Sequence, residues 1–327
     1  VRRSVCIAWV STLTLSLLYL NNASWLAASP LGKTAVLAHR GIHQTFPHKA
    51  VTRDTCTARI IDPPTNPYLE NTIASMRASF AAGADALELD IQPTTDGDFA
   101  VFHDWSLECR TNGRGVTRRQ NMAYLRTLDI GHGYTADGGR SFPFRGKGIG
   151  QMPTLAEVFA AFPGRRFLIN VKSNDPHESD RLIAYLKARR LPIDERLWIF
   201  ADGRPAERLA EIAPSARVMS KKRLKACSME YVAYGWTGIV PDTCRGNFIA
   251  VPTNWASWFW GWPNRLASRM AAANTLILIV GPTDAADKEL GVSRGSDLAV
   301  VPPDFPAYIV TDNIETIGPA VRAANGS

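Results

Sequence analysis

Charge of one sign builds no long tract in this 327-residue chain. Its 37 Lys and Arg are scattered, no arginine-rich tract or nucleic-acid motif occurs, and nucleic acid is not expected as a partner despite a net charge of +7. No GxGxxG or Walker sequence is present, which argues against an open sheet that grips phosphate on a glycine-rich turn. The five cysteines include no CxxC, so they do not read as a metal clamp, and they are too few for a small disulfide scaffold. Internal repeats and low-complexity tracts are missing as well. What is there is a chain of 46% hydrophobic and 20% charged residues, long enough to bury a full-sized core.

The N-terminus stands apart. Arg2 and Arg3 precede a run from Val5 to Leu20 without charge, and no charge follows before Pro30. A buried core helix would alternate with polar residues at helical period, whereas this run holds only scattered Ser and Thr. Residues 1–30 therefore read as a signal anchor or a signal peptide. The absence of a clean small-x-small triplet, with Trp25 and Leu26 before Ala27, favours the anchor. Positive flanks stay cytoplasmic, so residues 31–327 are expected as a membrane-anchored domain outside the cytoplasm, periplasmic or at the cell surface. Cys6 has no lipobox before it. In an oxidising compartment Cys56, Cys109, Cys227 and Cys244 form an even set. Proximity favours Cys227–Cys244 and leaves Cys56–Cys109, buried free thiols being the alternative.

From residue 35 onward short apolar runs alternate with amphipathic stretches. Strands are expected at 35–38, 86–92, 99–103, 167–172, 197–201, 216–220, 238–240, 248–251, 276–280 and 308–311. Helices are expected at 71–82, 154–162, 177–190, 205–212, 221–234 and 264–273 and after the last strand, with 105–151 a long loop. This rhythm fits a parallel α/β protein, either an open doubly wound sheet or a (β/α)8 TIM barrel. Polar residues decide: His39-Arg40, Glu88 and Asp90, His103-Asp104, Asn170 and Lys172, and Thr311-Asp312 all sit at strand ends around the whole chain. Only a closed barrel brings every strand end to one site.

Glu88 and Asp90 lie two apart on one strand and so share a face. Buried together they repel and need a cation or shifted pKa values, and an oxygen-rich site suits Mg²⁺ or Ca²⁺. A solvated edge strand is the bland alternative, which Leu87, Leu89 and Ile91 on the other face oppose. His39 and His103 could act as a pair, one removing a proton and the other donating one to a leaving oxygen. Arg40 and Lys172 add fixed positive charge that suits a phosphate diester, although an ion pair and a snorkelling side chain would also explain them. His43, His48, His132 and His177 fall in loops or at helix starts and read as surface residues.

His39-Arg40-Gly41, Glu70-Asn71-Thr72, Glu88-Leu89-Asp90 and His103-Asp104 occur in the order and type of the glycerophosphodiester phosphodiesterase family, which the sequence resembles over 35–115. The turn at Thr95–Gly97 and the run to Thr111-Asn112-Gly113 share the likeness. The resemblance implies a TIM-barrel hydrolase that releases sn-glycerol 3-phosphate and an alcohol with the help of a divalent cation. Carried over by motif, His39 and His103 are the general acid/base pair, Glu88 and Asp90 bind metal, and Arg40 and Lys172 contact phosphate. Glu70 and Asn71 open the first helix beside the substrate.

Two departures stand out. The family's third metal ligand is usually the Glu of a Glu-x-Lys strand, and here it is Asn170, whose carbonyl can still ligate a hard cation with one negative charge fewer. The first βα loop, from Gly41 to Glu70, is extended and is expected over the mouth of the barrel, tied down by Cys56–Cys109. Trp255, Trp258, Phe259, Trp260 and Trp262 crowd one segment, either as a packed corner or as a surface for a membrane or an apolar substrate tail. The leading expectation is hydrolysis of small glycerophosphodiesters. Alternatives are lysophospholipase D-like action on a lysophospholipid, a cyclising phosphodiesterase, and a barrel that binds lipid head groups without turnover.

Overall fold

Alternation at period two builds the centre of the molecule. The computed structural model describes residues 2–28, 32–48, 51–52, 55–283 and 291–326. Its strands are β1 (Ala35–His39), β2 (Ala86–Pro93), β3 (Phe99–Val101), β4 (Arg166–Val171), β5 (Leu197–Phe200), β6 (Arg217–Met219), β7 (Phe248–Pro252), β8 (Leu276–Val280) and β9 (Ala307–Thr311). The ladder order is β6-β5-β4-β2-β1-β9-β8-β7, parallel throughout, with β3 folded back antiparallel on β2. Among the described residues no ladder joins β6 to β7. There Asn247 Nδ2 donates to the Val218 carbonyl at 2.8 Å and Arg217 Nη1 to the Asn274 carbonyl at 2.8 Å. The result is a nearly closed eight-stranded parallel barrel ringed by helices, as a TIM barrel is.

Along each strand one set of alternate side chains fills the cylinder and the other meets the helices. Leu37, Ala86, Leu168, Trp198, Phe248, Leu278 and Val310 plug the interior. Trp198 meets the rings of Phe248 and Tyr308 edge-on at 5.2 and 4.8 Å. Burying side chains of this size contributes about 1.5–3 kcal/mol each. Every residue of β2 is buried, because Leu87, Leu89 and Ile91 face a second cluster under the helices while Glu88 and Asp90 face inward.

The helices are α1 (Arg2–Asn22), α2 (Ile73–Ala82), α3 (Met122–Leu125), α4 (Leu155–Ala161), α5 (Pro176–Ala188), α6 (Arg204–Ile212), α7 (Lys221–Tyr234), α8 (Asn264–Ala272) and α9 (Ile314–Ala324). Their caps follow sequence chemistry. Thr72 accepts from Ser75 N to start α2, and Gly83 ends it at φ 114°, a conformation that favours glycine. Thr154 and Glu157 form a reciprocal capping box on α4.

Three expectations need correction. No strand forms at 238–240, since a 3-10 turn at Gly235–Thr237 runs into Gly238 at φ 87°. His103 does not end a barrel strand; it follows the short hairpin strand β3, which stops at Val101. Asn71 lies outside α2, at φ 61°. At the N-terminus the uncharged run forms α1; among the described residues no helix is long and apolar enough to cross a membrane. The end of α1 is docked on the barrel, where Arg269 Nη2 donates to the Asn21 carbonyl and Asn22 Nδ2 to that of Trp236, both at 2.8 Å. The expected 30/31 boundary falls outside the described residues.

The extended first loop and the 105–151 segment join as a lobe with its own apolar centre, including Ile61, Leu69, Leu107, Leu125, Tyr134 and Phe144. Both expected disulfides are present. Cys56–Cys109 staples this lobe, with Cα atoms 5.5 Å apart, and Cys227–Cys244 ties α7 to the turn before β7.

Candidate active site

The inward-facing positions that plug the barrel become polar one step further along four adjacent strands. Leu37 leads to His39, Ala86 to Glu88 and Asp90, Leu168 to Asn170 and Lys172, and Val310 to Asp312. Register sets His39 beside Glu88 and Asp90 beside Asn170. These four strands, β4-β2-β1-β9, are consecutive in the sheet, so their C-terminal ends form one continuous charged wall.

After β1 the chain turns through Arg40 at φ 60° and Gly41 at φ 83°. A Cβ at Gly41 would strike the Ser75 side chain, so the turn fits only glycine there. Left-handed backbone at Arg40 is strained for a residue with a Cβ, and the turn folds its guanidinium back over the rim. Arg40 Nε lies 3.0 Å from His39 Nε2, to which it donates, and 3.3 Å from Asp90 Oδ2, while Nη1 is 3.5 Å from Glu70 Oε1. Asn71, also left-handed, donates from Nδ2 to Asp90 Oδ2 at 3.0 Å and accepts from Asp90 N. Lys172 Nζ reaches Asp90 Oδ1 at 2.6 Å, and Asn170 Nδ2 donates to Glu88 Oε1 at 2.9 Å. Eight of the nine residues singled out by sequence thus meet at one rim.

Each imidazole is held through Nδ1 by a carboxylate. His39 Nδ1 pairs with Asp312 Oδ1 at 2.5 Å and His103 Nδ1 with Asp104 Oδ1 at 2.7 Å. The hairpin delivers His103, because Phe102 N donates to the Asp90 carbonyl at 3.0 Å. The two rings differ in charge environment. Burial and Arg40 pull the His39 pKa down, but Asp312 and Glu88 raise it net above the usual imidazole value. Burial, then Arg40 and Lys172, lower His103 to about 4, against Asp90 and Asp104. Burial opposes ionisation of Asp90, yet Lys172 and Arg40 hold it well below the carboxylate range. Burial and the neighbouring Asp90 push Glu88 up.

Glu88 Oε2 is buried without a hydrogen bond, 3.7 Å from His39 Nε2. An orphaned carboxylate oxygen beside a second carboxylate fits a hard cation. Among the described residues no three His, Cys, Asp or Glu converge as a ligand group, so any third donor is an amide: Asn170, which rotation would turn to present its oxygen.

Asp312, which the sequence places at a strand end without a role, continues the alternate positions of Val310 and holds His39. Two further members escape sequence reasoning. Arg110 gave no such signal, since it lies in the lobe. There it pairs with Asp104 Oδ1 at 3.1 Å and Glu70 Oε2 at 3.4 Å. His43 is buried rather than on the surface; its Nδ1 donates to the Gly41 carbonyl at 3.0 Å, and its Nε2 lies 3.9 Å from Asp312 Oδ1. His48 and His132 are half-buried and His177 is exposed. The aromatic segment divides: Trp255, Trp258 and Trp260 are 47%, 65% and 41% exposed, whereas Phe259 is buried and Trp262 packs on Phe305.

Two imidazole–carboxylate pairs facing guanidinium, ammonium and paired carboxylates at the C-terminal rim of a barrel define an α/β-barrel with an acid–base, anion-binding site. Residues 39–199 match the model of the glycerophosphoryl diester phosphodiesterase family. A glycerophosphodiester phosphodiesterase of Caldanaerobacter subterraneus subsp. tengcongensis is 32% identical over 141 residues, 43% of this chain and 45% of that protein. The chain thus matches less than half the length of that relative. Among solved structures, a glycerophosphodiester phosphodiesterase from Agrobacterium tumefaciens str. C58 superposes with TM-score 0.58 at 19% identity, covering 88% of this chain and 99% of that one. An Oleispira antarctica phosphodiesterase in complex with the product sn-glycerol-3-phosphate gives 0.53 at 17% identity, covering 90% and 98%. At these identities the likeness is one of fold.

Proposed function

We propose that the chain hydrolyses glycerophosphodiesters to sn-glycerol 3-phosphate and an alcohol, with His39 and His103 as the acid–base pair. The observation that carries this reading is the pair of carboxylate-held imidazoles, His39 on Asp312 and His103 on Asp104, at the rim that carries Arg40 and Asp90. Fixing Nδ1 on a carboxylate leaves Nε2 of each ring for the substrate. His103, with its low pKa, is neutral at physiological pH and suits the base. His39, with its raised pKa, suits the acid. Its Nε2 accepts from Arg40 before substrate enters, so protonation there releases the guanidinium toward phosphate.

In this reading the glycerol hydroxyl next to the phosphate gives its proton to His103 and attacks phosphorus. The bond from phosphorus to the alcohol oxygen breaks, and His39 protonates the departing oxygen. Water then opens the cyclic phosphate with the two rings in exchanged roles. Arg40 and Lys172 bear on the charge that builds on the phosphoryl oxygens. Glu70 and Asn71 hold Arg40 and Asp90 in place. Glu88, Asp90 and the Asn170 amide would hold Mg²⁺ or Ca²⁺, which supplies Lewis-acid stabilisation of that charge when bound.

A second reading, lysophospholipase D-like action on a lysophospholipid, is favoured by one observation. The exposed Trp255 and Trp258 lie directly beyond the C-terminal end of β7, on the same face of the barrel as the charged wall. They could take an acyl chain or rest on a lipid surface. Two disulfides support a location outside the cytoplasm. The test is glycerol 3-phosphate release from a panel of glycerophosphodiesters and lysophospholipids, with chelated and metal-restored protein. Release abolished in His39→Ala and His103→Ala is expected. Tight binding with no release from any diester would leave a head-group binder, and accumulation of cyclic phosphate as the final product would make it a cyclising enzyme.

A further inference from the structure

Arg110 is 3% exposed, and its guanidinium lies among four partners. Nε meets Asp104 Oδ1, the atom that holds His103 Nδ1. Nη1 reaches Glu70 Oε2 at 3.4 Å, and the other oxygen of Glu70 pairs with Arg40. Nη1 also donates to Tyr134 Oη at 2.8 Å, and Nη2 to Thr57 Oγ1 at 2.9 Å. One buried side chain therefore touches both the support of His103 and the support of Arg40. Its own seat is covalently fixed. Arg110 follows Cys109, its acceptor Thr57 follows Cys56, and those two cysteines form the disulfide of the lobe. The backbone repeats the clamp, with Gly133 N donating to the Arg110 carbonyl at 3.1 Å and Thr135 N to that of Ala58 at 2.9 Å.

We infer that Arg110 is a positioning residue for His103 and Arg40, and that the Cys56–Cys109 disulfide sets its place, so that this cross-link serves turnover as well as stability. The inference rests on the diesterase reading above. The physical basis is geometric. A rigid fork can hold two carboxylates at fixed separation, which a flexible ammonium cannot. Without the disulfide, the ends that carry Arg110 and Thr57 are joined only by noncovalent contacts. Cys227–Cys244, on the turn that leads into the N-terminal end of β7, has no such link to the rim and serves as the control.

The experiment compares Arg110→Gln, Arg110→Lys, Cys56→Ser/Cys109→Ser and Cys227→Ser/Cys244→Ser with the parent chain. Each is checked for folding by far-ultraviolet circular dichroism and melting. For Arg110→Gln, kcat is expected to fall about 10- to 100-fold with little change in KM, as for other groups that orient a reacting side chain. The acidic limb of its rate–pH profile should move up, because Asp104 freed of Arg110 acts more fully on His103. Arg110→Lys should recover part of kcat. Cys56→Ser/Cys109→Ser should share the direction of both changes, and Cys227→Ser/Cys244→Ser should keep parental kcat while melting lower. The titration of the His103 ring by NMR gives the same comparison without turnover, so a chain inactive on every diester would refute the diesterase reading and leave this test standing. A folded Arg110→Gln with parental kcat and parental His103 titration would overturn the role of Arg110. Parental values in a folded Cys56→Ser/Cys109→Ser would overturn that of the disulfide. If Arg110→Gln does not fold, Arg110→Lys and the cysteine pair decide.

Discussion

The rim of the barrel has two unlike arcs. Along β4, β2, β1 and β9 the inward side chains end in Lys172, Asn170, Asp90, Glu88, His39 and Asp312. Along β5, β6, β7 and β8 the corresponding inward side chains are Phe200, Met219, Ala250 and Val280, packed on the interior plug. The strands are built alike, with the same alternation and the same apolar lower layer, so the difference is confined to the last inward position or two. A barrel needs its lower layers for stability and leaves the C-terminal ends free for chemistry. Here that freedom is spent unevenly, one arc for charge and one for apolar contact, which suits a molecule with an anionic centre and an apolar arm.

Breaking the charged arc should have the largest effect. His103→Ala and His39→Ala are each expected to lower kcat by about 10²- to 10⁴-fold, the usual worth of a proton-transferring side chain, as read in initial rates of glycerol 3-phosphate release. The parent's rate should hold on the acidic side until pH nears about 4, where His103 gains a proton and stops being a base. It should fall on the alkaline side above the ordinary imidazole range, where His39 loses the proton it donates. A smaller loss, about 10- to 100-fold, is expected for Asp312→Asn, which keeps the shape but not the charge that orients His39. Isothermal titration with Mg²⁺ or Ca²⁺ checks the next step. Asn170→Glu restores a third carboxylate and should tighten cation binding by about tenfold, each 1.4 kcal/mol being a factor of ten.

The apolar arc should give the smallest and most selective change. Phe200→Ser or Trp258→Ala is expected to cost about tenfold in kcat/KM on a long-chain lysophospholipid, the worth of part of one buried apolar side chain. A glycerophosphodiester with a short polar alcohol should be turned over at the parental rate. Equal losses on both substrates would erase the distinction between the arcs.

How much of this was legible follows from how local each signal is. His39, Glu88, Asp90, Asn170 and Lys172 lie at strand ends, where alternation alone fixes the side that a residue faces, and their convergence could be read before any coordinates. Thr72 and Thr154 announced their helices by capping chemistry. His103 was assigned to the right place for the wrong reason. FAVFH reads as a strand, but whether a strand joins the barrel or folds back as a hairpin depends on pairing partners distant in sequence. Arg110 and His43 were out of reach for a related cause. Each is buried by a lobe whose fold is set by contacts between segments some 50 residues apart, and loop residues carry no periodicity to reveal this.

The gap between β6 and β7 has a consequence of its own. Elsewhere around the cylinder each strand is clasped on both sides by backbone hydrogen bonds, while here a side-chain amide and a guanidinium bridge the seam. Main-chain amides facing that gap should therefore exchange with deuterium sooner than those of β1 and β2, and any spreading of the ring under substrate or heat should begin between Val218 and Phe248. Opening at that point would widen the apolar side of the mouth while the charged side keeps its shape.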